Sequence, residues 1–435
     1  MKCNKSKFIL VAFAIAWPTL AAFSQTEEQP REPSTGSTVQ RPEPDPGRRI
    51  SSRPARNREN SYGFSLGILG LYDSNMFGST PKEGLWAVAP SPRLFANLGT
   101  RKSMLHLDYQ LLYRFYPTQR DLDSANHEGG FEYLYQASRR TSFSLREYVR
   151  AGPNDILAFT SEGLIAPPTG YQQVFFDGQH MLYNSLAGLL KYQPTRKHNL
   201  GITGDYYIYR YRSQPIQDTD SFQARIQDEY QVSKQWSILG EASNEWVDSS
   251  EESRKGTIMR FMGGLVYRPN KNWRMEAKAG EERMDSDLND DNGATYEASL
   301  TRDTGLNRLE IRYNRRSGVE IGLAGLNRYH EVSGFFDQQL GSRVSLHLLA
   351  RFYRTDSITY GKVDTWGGGM GFDYAFHPSL VSSVFGHYVY ERAGSPLPGQ
   401  DMKADRYIVY GGLTYLFPSV KRERRIPRYG TAERD

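Results

Sequence analysis

Eight histidines, a single cysteine and a near-balance of carboxylates and bases make up the chemistry-bearing side chains of this 435-residue chain. The histidines (His106, His127, His180, His198, His330, His347, His377, His387) are scattered, with no His-x-x-His pair and no Gly-x-Ser-x-Gly elbow. Hydrolysis needs a nucleophile, a base and an orienting group at one place, so a barrel-embedded hydrolase is the weakest functional reading and no catalytic residue is assigned. His106 and His347 fit better as polar fillers of a lumen. Cys3 lies in a segment expected to be removed, which excludes a disulfide framework, a thiolate metal site and a cysteine nucleophile together. No Cys/His cluster suggests zinc, and Gly367 to Gly369 lies in a strand pattern, where glycine relieves crowding, rather than in a phosphate cradle. No cofactor and no metal is therefore expected. The net charge of +5 comes with no basic stripe interleaved with aromatics, so nucleic acid is not an expected partner.

The charges that remain fall at alternate positions of apolar runs. Arg114, Arg146, Arg225, Arg260, Lys278, Arg308, Arg312 and Arg351, with Asp108, Glu132, Glu229, Glu241, Glu276, Glu310 and Asp337, are the residues expected to line a lumen. Mixed signs suit solvated cross-strand neighbours of little net energy and a weak or absent ionic preference. A ladder of bases selecting anions is the alternative.

The elements that would carry such a wall follow from composition and period. The chain holds 29 Tyr, 21 Phe and 40 Gly, yet is polar on average. A transmembrane barrel reconciles the two, because lipid-facing apolars alternate with lumen-facing polar residues; a soluble all-β protein shares the composition. Between 61 and 417 there is no apolar stretch long enough for a spanning helix. Runs of period 2 recur instead, plainest in 220 to 231, 258 to 268 and 306 to 316. Asp228 and Glu147 interrupt the apolar faces of their runs. Short turns at 99 to 102, 138 to 140, 194 to 196, 232 to 234, 269 to 271, 303 to 305, 341 to 342 and 377 to 378 alternate with longer polar connections. Those lie near 73 to 84, 117 to 127, 152 to 178, 212 to 219, 248 to 256, 283 to 293, 317 to 328, 355 to 363 and 391 to 403. The predicted fold class is all-β, an antiparallel up-and-down transmembrane barrel of about 18 strands, with 16 as the alternative. Eighteen strands enclose room for an aqueous lumen unless something plugs it.

Outside the barrel, Lys2, Lys5 and Lys7, the apolar run Phe8 to Trp17 and the small residues Ala21, Ala22 and Ser24 spell a secretory leader over 1–24. Residues 25–60, rich in Pro, Arg and Glu, read as a disordered periplasmic arm. A basic tail fills 418–435. The expected location is the outer membrane of a Gram-negative bacterium, with both termini periplasmic. The connection 152 to 178 carries Ile156, Leu157, Phe159, Phe175 and Phe176 among its apolar residues; long loops are commonly functional. It is expected to fold into the barrel mouth as a constriction, a surface flap being the alternative.

The opening segment Gly63-Phe64-Ser65-Leu66-Gly67-Ile68-Leu69-Gly70-Leu71-Tyr72-Asp73-Ser74-Asn75-Met76-Phe77 resembles the start of the outer-membrane β-barrel porins of the second type. Members of that family often begin with Tyr-x-x-Asn-x-aromatic, matched here by Tyr72, Asn75 and Phe77, and are frequently associated with exopolysaccharide production. The resemblance implies an outer-membrane channel that serves solute passage or exopolysaccharide export, with periplasmic polysaccharide-export proteins as partners. Asp73 and Asn75 also fit as ordinary turn formers. The last run, with Tyr407, Val409, Gly411, Leu413, Tyr415 and Phe417 on one face, is similar to the terminal-strand signal read by barrel assembly machinery; the tail with Lys421, Arg422, Arg424, Arg425 and Arg428 departs from that pattern. Further expected partners are outer-membrane lipid and lipopolysaccharide. A plugged adhesion barrel whose loops bind a partner is the remaining alternative. The refolded mature polypeptide should require detergent to stay in solution and should give β-type circular dichroism; either solubility without detergent or mainly helical circular dichroism would overturn the barrel.

Overall fold

In lipid every backbone N–H and C=O needs a partner within the protein, which leaves a sheet one solution, to close on itself. The computed structural model describes residues 61–74, 84–153, 158–160, 163–165, 180–211, 218–249, 255–286, 290–319, 326–357, 361–393 and 402–417. The leader, arm and tail segments lie outside them, as do Asn75, Phe77, Ile156, Leu157, Phe175 and Phe176.

The strands in chain order are β1 (Ser61–Asp73), β2 (Leu85–Gly99), β3 (Ser103–Arg114), β4 (Ser124–Gln136) and β5 (Thr141–Pro153). A short hairpin follows, β6 (Ala158–Thr160) and β7 (Gly163–Ile165). Then come β8 (His180–Tyr192), β9 (His198–Tyr211), β10 (Thr219–Gln231), β11 (Trp236–Ser249), β12 (Gly256–Tyr267) and β13 (Trp273–Ser286). The last are β14 (Asp291–Asp303), β15 (Asn307–Val319), β16 (Leu326–Gln339), β17 (Val344–Ser357), β18 (Gly361–His377), β19 (Leu380–Ala393) and β20 (Met402–Phe417). Apart from β6 and β7, which pair only with each other, all form one 18-stranded antiparallel sheet. β5 pairs with β8, and β1 pairs with β20 from Phe64↔Phe417 to Asp73↔Ile408, so the sheet is a closed barrel.

Burial is reversed relative to a soluble protein. Along β2, Leu85, Ala87, Ala89, Ser91, Arg93, Phe95 and Asn97 are buried, while Trp86, Val88, Leu94 and Leu98 are exposed. Charged side chains such as Arg260, Glu282 and Arg406 face inward and are buried; Ile68, Ile226, Phe261 and Leu413 face outward and are exposed. This is the wall of a transmembrane barrel, apolar toward lipid and polar toward the bore.

Two aromatic belts mark the edges of that wall. Near the short turns lie Tyr135, Tyr192, Tyr230, Trp236, Tyr267, Trp273 and Phe417; Trp236 stacks on Tyr267 at 4.4 Å between centroids. Toward the long connections lie Tyr72 with Trp86 (4.7 Å), Phe222 with Trp246 (5.5 Å) and Phe352 with Trp366 (4.2 Å). Trp236 and Trp246 share the outer face of β11, ten residues apart. At ~3.4 Å per residue and a tilt near 40° that spans roughly 25 Å, the height of an apolar barrel band.

All eight short turns expected from the sequence join neighbouring strands. Several are held by one side chain taking backbone N–H groups: Thr100 Oγ1 accepts from Lys102 and Ser103, Ser138 Oγ from Arg140, Thr195 Oγ1 from Lys197, and Ser233 Oγ from Gln235. Gly305 supplies the left-handed conformation of the β14–β15 turn with φ +83. The long connections are shorter than the sequence suggests. Ser124–His127, Arg283–Ser286, Asp291–Gly293, Ser317–Val319 and Met402–Lys403 are strand, not loop. These ends extend past the aromatic belt, where lipid no longer imposes alternation, so period 2 fades while pairing continues.

The seam between first and last strands carries its own clasp. Asp73 accepts from Arg406 Nε at 2.8 Å on both carboxylate oxygens and also from Nη2, and both side chains are buried. Asp73 is thus the final residue of β1 rather than a turn former. Because removing one partner of a buried pair strands the other, Arg406→Met should lower barrel stability by about 3–5 kcal/mol. Adding Asp73→Asn should recover part of the loss in a double-mutant cycle, followed by the temperature at which the folded band disappears on semi-native gels.

Candidate functional site

The candidate site is the inner wall. Each strand contributes alternate side chains to it, so antiparallel pairing brings inward residues of neighbouring strands side by side. All fifteen residues expected at the lumen stand on inward positions of their strands, set among partners in three sectors.

The first sector runs over β10 to β15. Close to the short turns, Glu229 accepts from Arg268 Nη1 (2.7 Å) and Nη2 (3.0 Å) and lies 3.6 Å from Arg274, which also donates to Glu276 (2.6 Å). At mid-height Lys278 donates to Glu241 (2.9 Å), approaches Glu276 (3.8 Å) and pairs with Glu297, while Arg225 Nε lies 3.6 Å from Glu241. Toward the long connections, Glu282 accepts from Arg260 Nε (3.2 Å), Arg328 Nε (3.4 Å), Ser317 N (3.0 Å) and Ser317 Oγ (2.6 Å). Arg260 also reaches Glu245 at 3.3 Å. Together these residues form a chain of charge running the height of the wall.

The second sector covers β15 to β19. Arg308 donates to Glu310 (2.9 Å), Arg312 pairs with the same carboxylate, and Arg351 pairs with Glu331 (3.1 Å). His347 bridges two strands, Nδ1 at 2.5 Å from Asp337 and Nε2 at 2.7 Å from Asp373, and Ser383 donates to Asp373 at 2.6 Å. His347 is a structural bridge between carboxylates, without a nucleophile in hydrogen-bond contact. Inward glycines make room here: a Cβ on Gly371 would stand 2.3 Å from Phe385, whose ring lies over the strand.

The third sector covers β2 to β9. Arg93 donates to Asp108 (2.8 Å), His106 Nδ1 bonds Asn97 Oδ1 (2.8 Å), Arg146 stands 4.0 Å from Glu132, and Arg150 stands 3.7 Å from Glu128. Arg114 is buried on β3. Above them Tyr183 packs on Tyr209 (4.9 Å) and Tyr148 (5.9 Å), with Met181 and Tyr207 completing an aromatic cluster. Phe159 of the expected constriction pairs with Leu164 across the β6–β7 hairpin. Among the described residues no group of three or more His, Cys, Asp or Glu is placed to hold a metal ion.

The partners Arg93, Glu128, Arg150, Arg268, Arg274, Glu282, Glu331, Asp373 and Arg406 escaped the sequence reading. Most sit on the same parity as neighbours that were recognised, so extending the strands outward from their turns finds them; Arg268 ends the run 258 to 268 on the face of Arg260, but was not singled out as a lumen residue. Exposure is divided unevenly within the pairs. The guanidinium is the more exposed group in Arg268–Glu229 (26% against 3%), Arg308–Glu310 (34% against 3%) and Arg351–Glu331 (22% against 7%), and the carboxylate is in Arg93–Asp108, Arg260–Glu245 and Lys278–Glu297.

No family model matches the chain, and no curated protein matches it. Solved structures do. The outer membrane protein OpdK from Pseudomonas aeruginosa is 11% identical, with 82% of this chain and 99% of that one covered and a TM-score of 0.44. OccK9 (OpdG) of the same organism is 14% identical over 82% and 98%, TM-score 0.42. OccAB4 from Acinetobacter baumannii is 11% identical over 83% and 100%, TM-score 0.41.

Proposed function

We propose that the chain is an outer-membrane channel through which small polar solutes pass passively, with a lumen that prefers anions. The observation that carries this reading is the asymmetry of the inner wall. Formal charge there is nearly balanced, but Arg146, Arg268, Arg308 and Arg351 are each more solvent-accessible than the carboxylate they pair with, and they outnumber accessible carboxylates such as Asp108 and Asp337. In a confined, partly dehydrated space the nearer charge dominates. The balanced composition that suggested a weak ionic preference is thus outweighed, in this proposal, by radial order.

The leader 1–24 would send the chain through the inner membrane. Ser61 and Phe417 both stand at the short-turn rim, which suits periplasmic termini. A finer proposal, service in exopolysaccharide export, rests on the resemblance of the opening strand and implies loss of surface polysaccharide in a deletion strain with small-solute uptake intact. The reading is of a conduit, not a catalyst.

In planar bilayers under a KCl gradient the purified protein should conduct with a reversal potential of the sign given by chloride preference. Arg268→Gln, Arg308→Gln and Arg351→Gln combined should bring that potential toward zero. Absence of conductance would turn the reading to a plugged adhesion barrel, and a cation-selective potential would refute the role given to the arginines.

A further inference from the structure

The short turns carry a charge pattern that the channel reading does not use. The eight connections 100–102, 137–140, 193–197, 232–235, 268–272, 304–306, 340–343 and 378–379 contain Arg or Lys at ten positions and neither Asp nor Glu at any. Apart from Arg268, which turns inward to Glu229, these cations are exposed; Arg139, Arg140, Arg196, Lys197, Lys234 and Lys271 are representative. Charge this one-sided is not required by turn geometry, which the Thr, Ser, Asn and Gly residues supply.

Position and orientation say what the rim meets. It lies immediately below the belt of Tyr135, Tyr192, Tyr230, Trp236 and Trp273, that is, at the level of headgroups if the belt lies at the membrane edge. Two cations at this level are held against the outer wall. Lys197 Nζ lies 6.0 Å from the centre of the outward ring of Tyr230, and the Arg302 guanidinium lies 5.3 Å from that of Trp273. Both heads thereby face the surroundings of the barrel and not its bore. Long basic side chains whose stems lie on apolar surface and whose heads reach the interface are suited to lipid phosphate.

We propose that the rim of short turns is a seat for the phosphates of anionic phospholipids in the adjacent leaflet, fixing the depth and tilt of the barrel. This rests on the membrane-spanning reading. Fluorescence quenching by brominated lipids tests it with the full chain in vesicles. Trp17, Trp86, Trp246 and Trp366 are changed to Phe so that Trp236 and Trp273, beside the turns, report. Dibromo-phosphatidylglycerol should be preferred over dibromo-phosphatidylcholine by about fivefold or more, the contribution of one cation held at a negative surface, and the preference should fall with added salt. Lys197→Gln, Lys234→Gln and Lys271→Gln together should bring it near unity, whereas Arg210→Gln, Arg283→Gln and Arg315→Gln, on the opposite half of the wall, should leave it intact. Circular dichroism and gel mobility confirm that each variant is folded. An unchanged preference in the turn variant, no preference in the parent, or an equal loss in the opposite-half variant overturns the proposal. So does loss of the preference on adding a peptide of residues 25–46, the acidic stretch of the arm with Glu27, Glu28, Glu32, Glu43 and Asp45 against Arg31 and Arg41, which would give the seat to the chain's own N-terminal segment. If neither lipid quenches, the chain is not in the bilayer, and it is the membrane reading that fails.

Discussion

The pairing of β1 with β20 is the constraint on which every other feature depends. An open sheet of this size would leave two rows of backbone donors and acceptors facing hydrocarbon, each unsatisfied group costing several kcal/mol. Closing it brings residues more than three hundred positions apart into register, the most distant pairing among the described residues. Nothing local in the sequence nucleates that contact. The buried Asp73–Arg406 pair and the Phe64–Phe417 contact at 5.8 Å mark its two ends, one polar and facing the bore, one aromatic and facing lipid. The seam is thereby specified on both faces of the sheet.

Closure also explains why so much charge is tolerated inside. Once the wall is curved inward, side chains from neighbouring strands converge: Glu245 meets Arg260, Glu331 meets Arg351, and Glu241 meets Arg225 and Lys278. Glu282 is the extreme case, buried and served by Arg260, Arg328 and Ser317 from three strands. Such pairs add little stability where water reaches them, but they fix which member of each pair is turned toward the bore. The route from sequence to function here runs through curvature.

Fold class, strand number and the eight short turns were legible because lipid enforces period 2 and the turn residues punctuate it. The strand ends beyond the belts were not, since Arg283, Asp291 and Ser317 lie where neither lipid nor a turn imposes a pattern. Inward positions of individual charges followed from parity alone. Their partners did not, because Glu229–Arg268 and Glu282–Arg328 join residues whose separation depends on register and shear, quantities no single strand encodes. Asp73 shows the same limit. As a residue type at a strand end it fits a turn, and only the barrel brings Arg406 to it.

The inner charges have a second consequence, in register rather than conduction. A slip of one residue in any strand exchanges its two faces. For β12 that would carry Arg260 toward hydrocarbon, for β13 Lys278 and Glu282, and for β15 Glu310 and Arg312; an Arg or Lys at the bilayer midplane costs about 2–4 kcal/mol and a carboxylate less. The apolar outward residues alone could not discriminate as well, since Met262 and Val266 on the inner face of β12 are apolar too. Two of the outward polar residues have a partner on the same face: Glu147 accepts from Asn184 at 3.1 Å on the neighbouring strand, and Asp228 lies 3.3 Å from His198. At these two positions the neighbour on the adjacent strand reduces the cost of breaking the rule, and the inward charges hold their strands to the register in which the barrel closes.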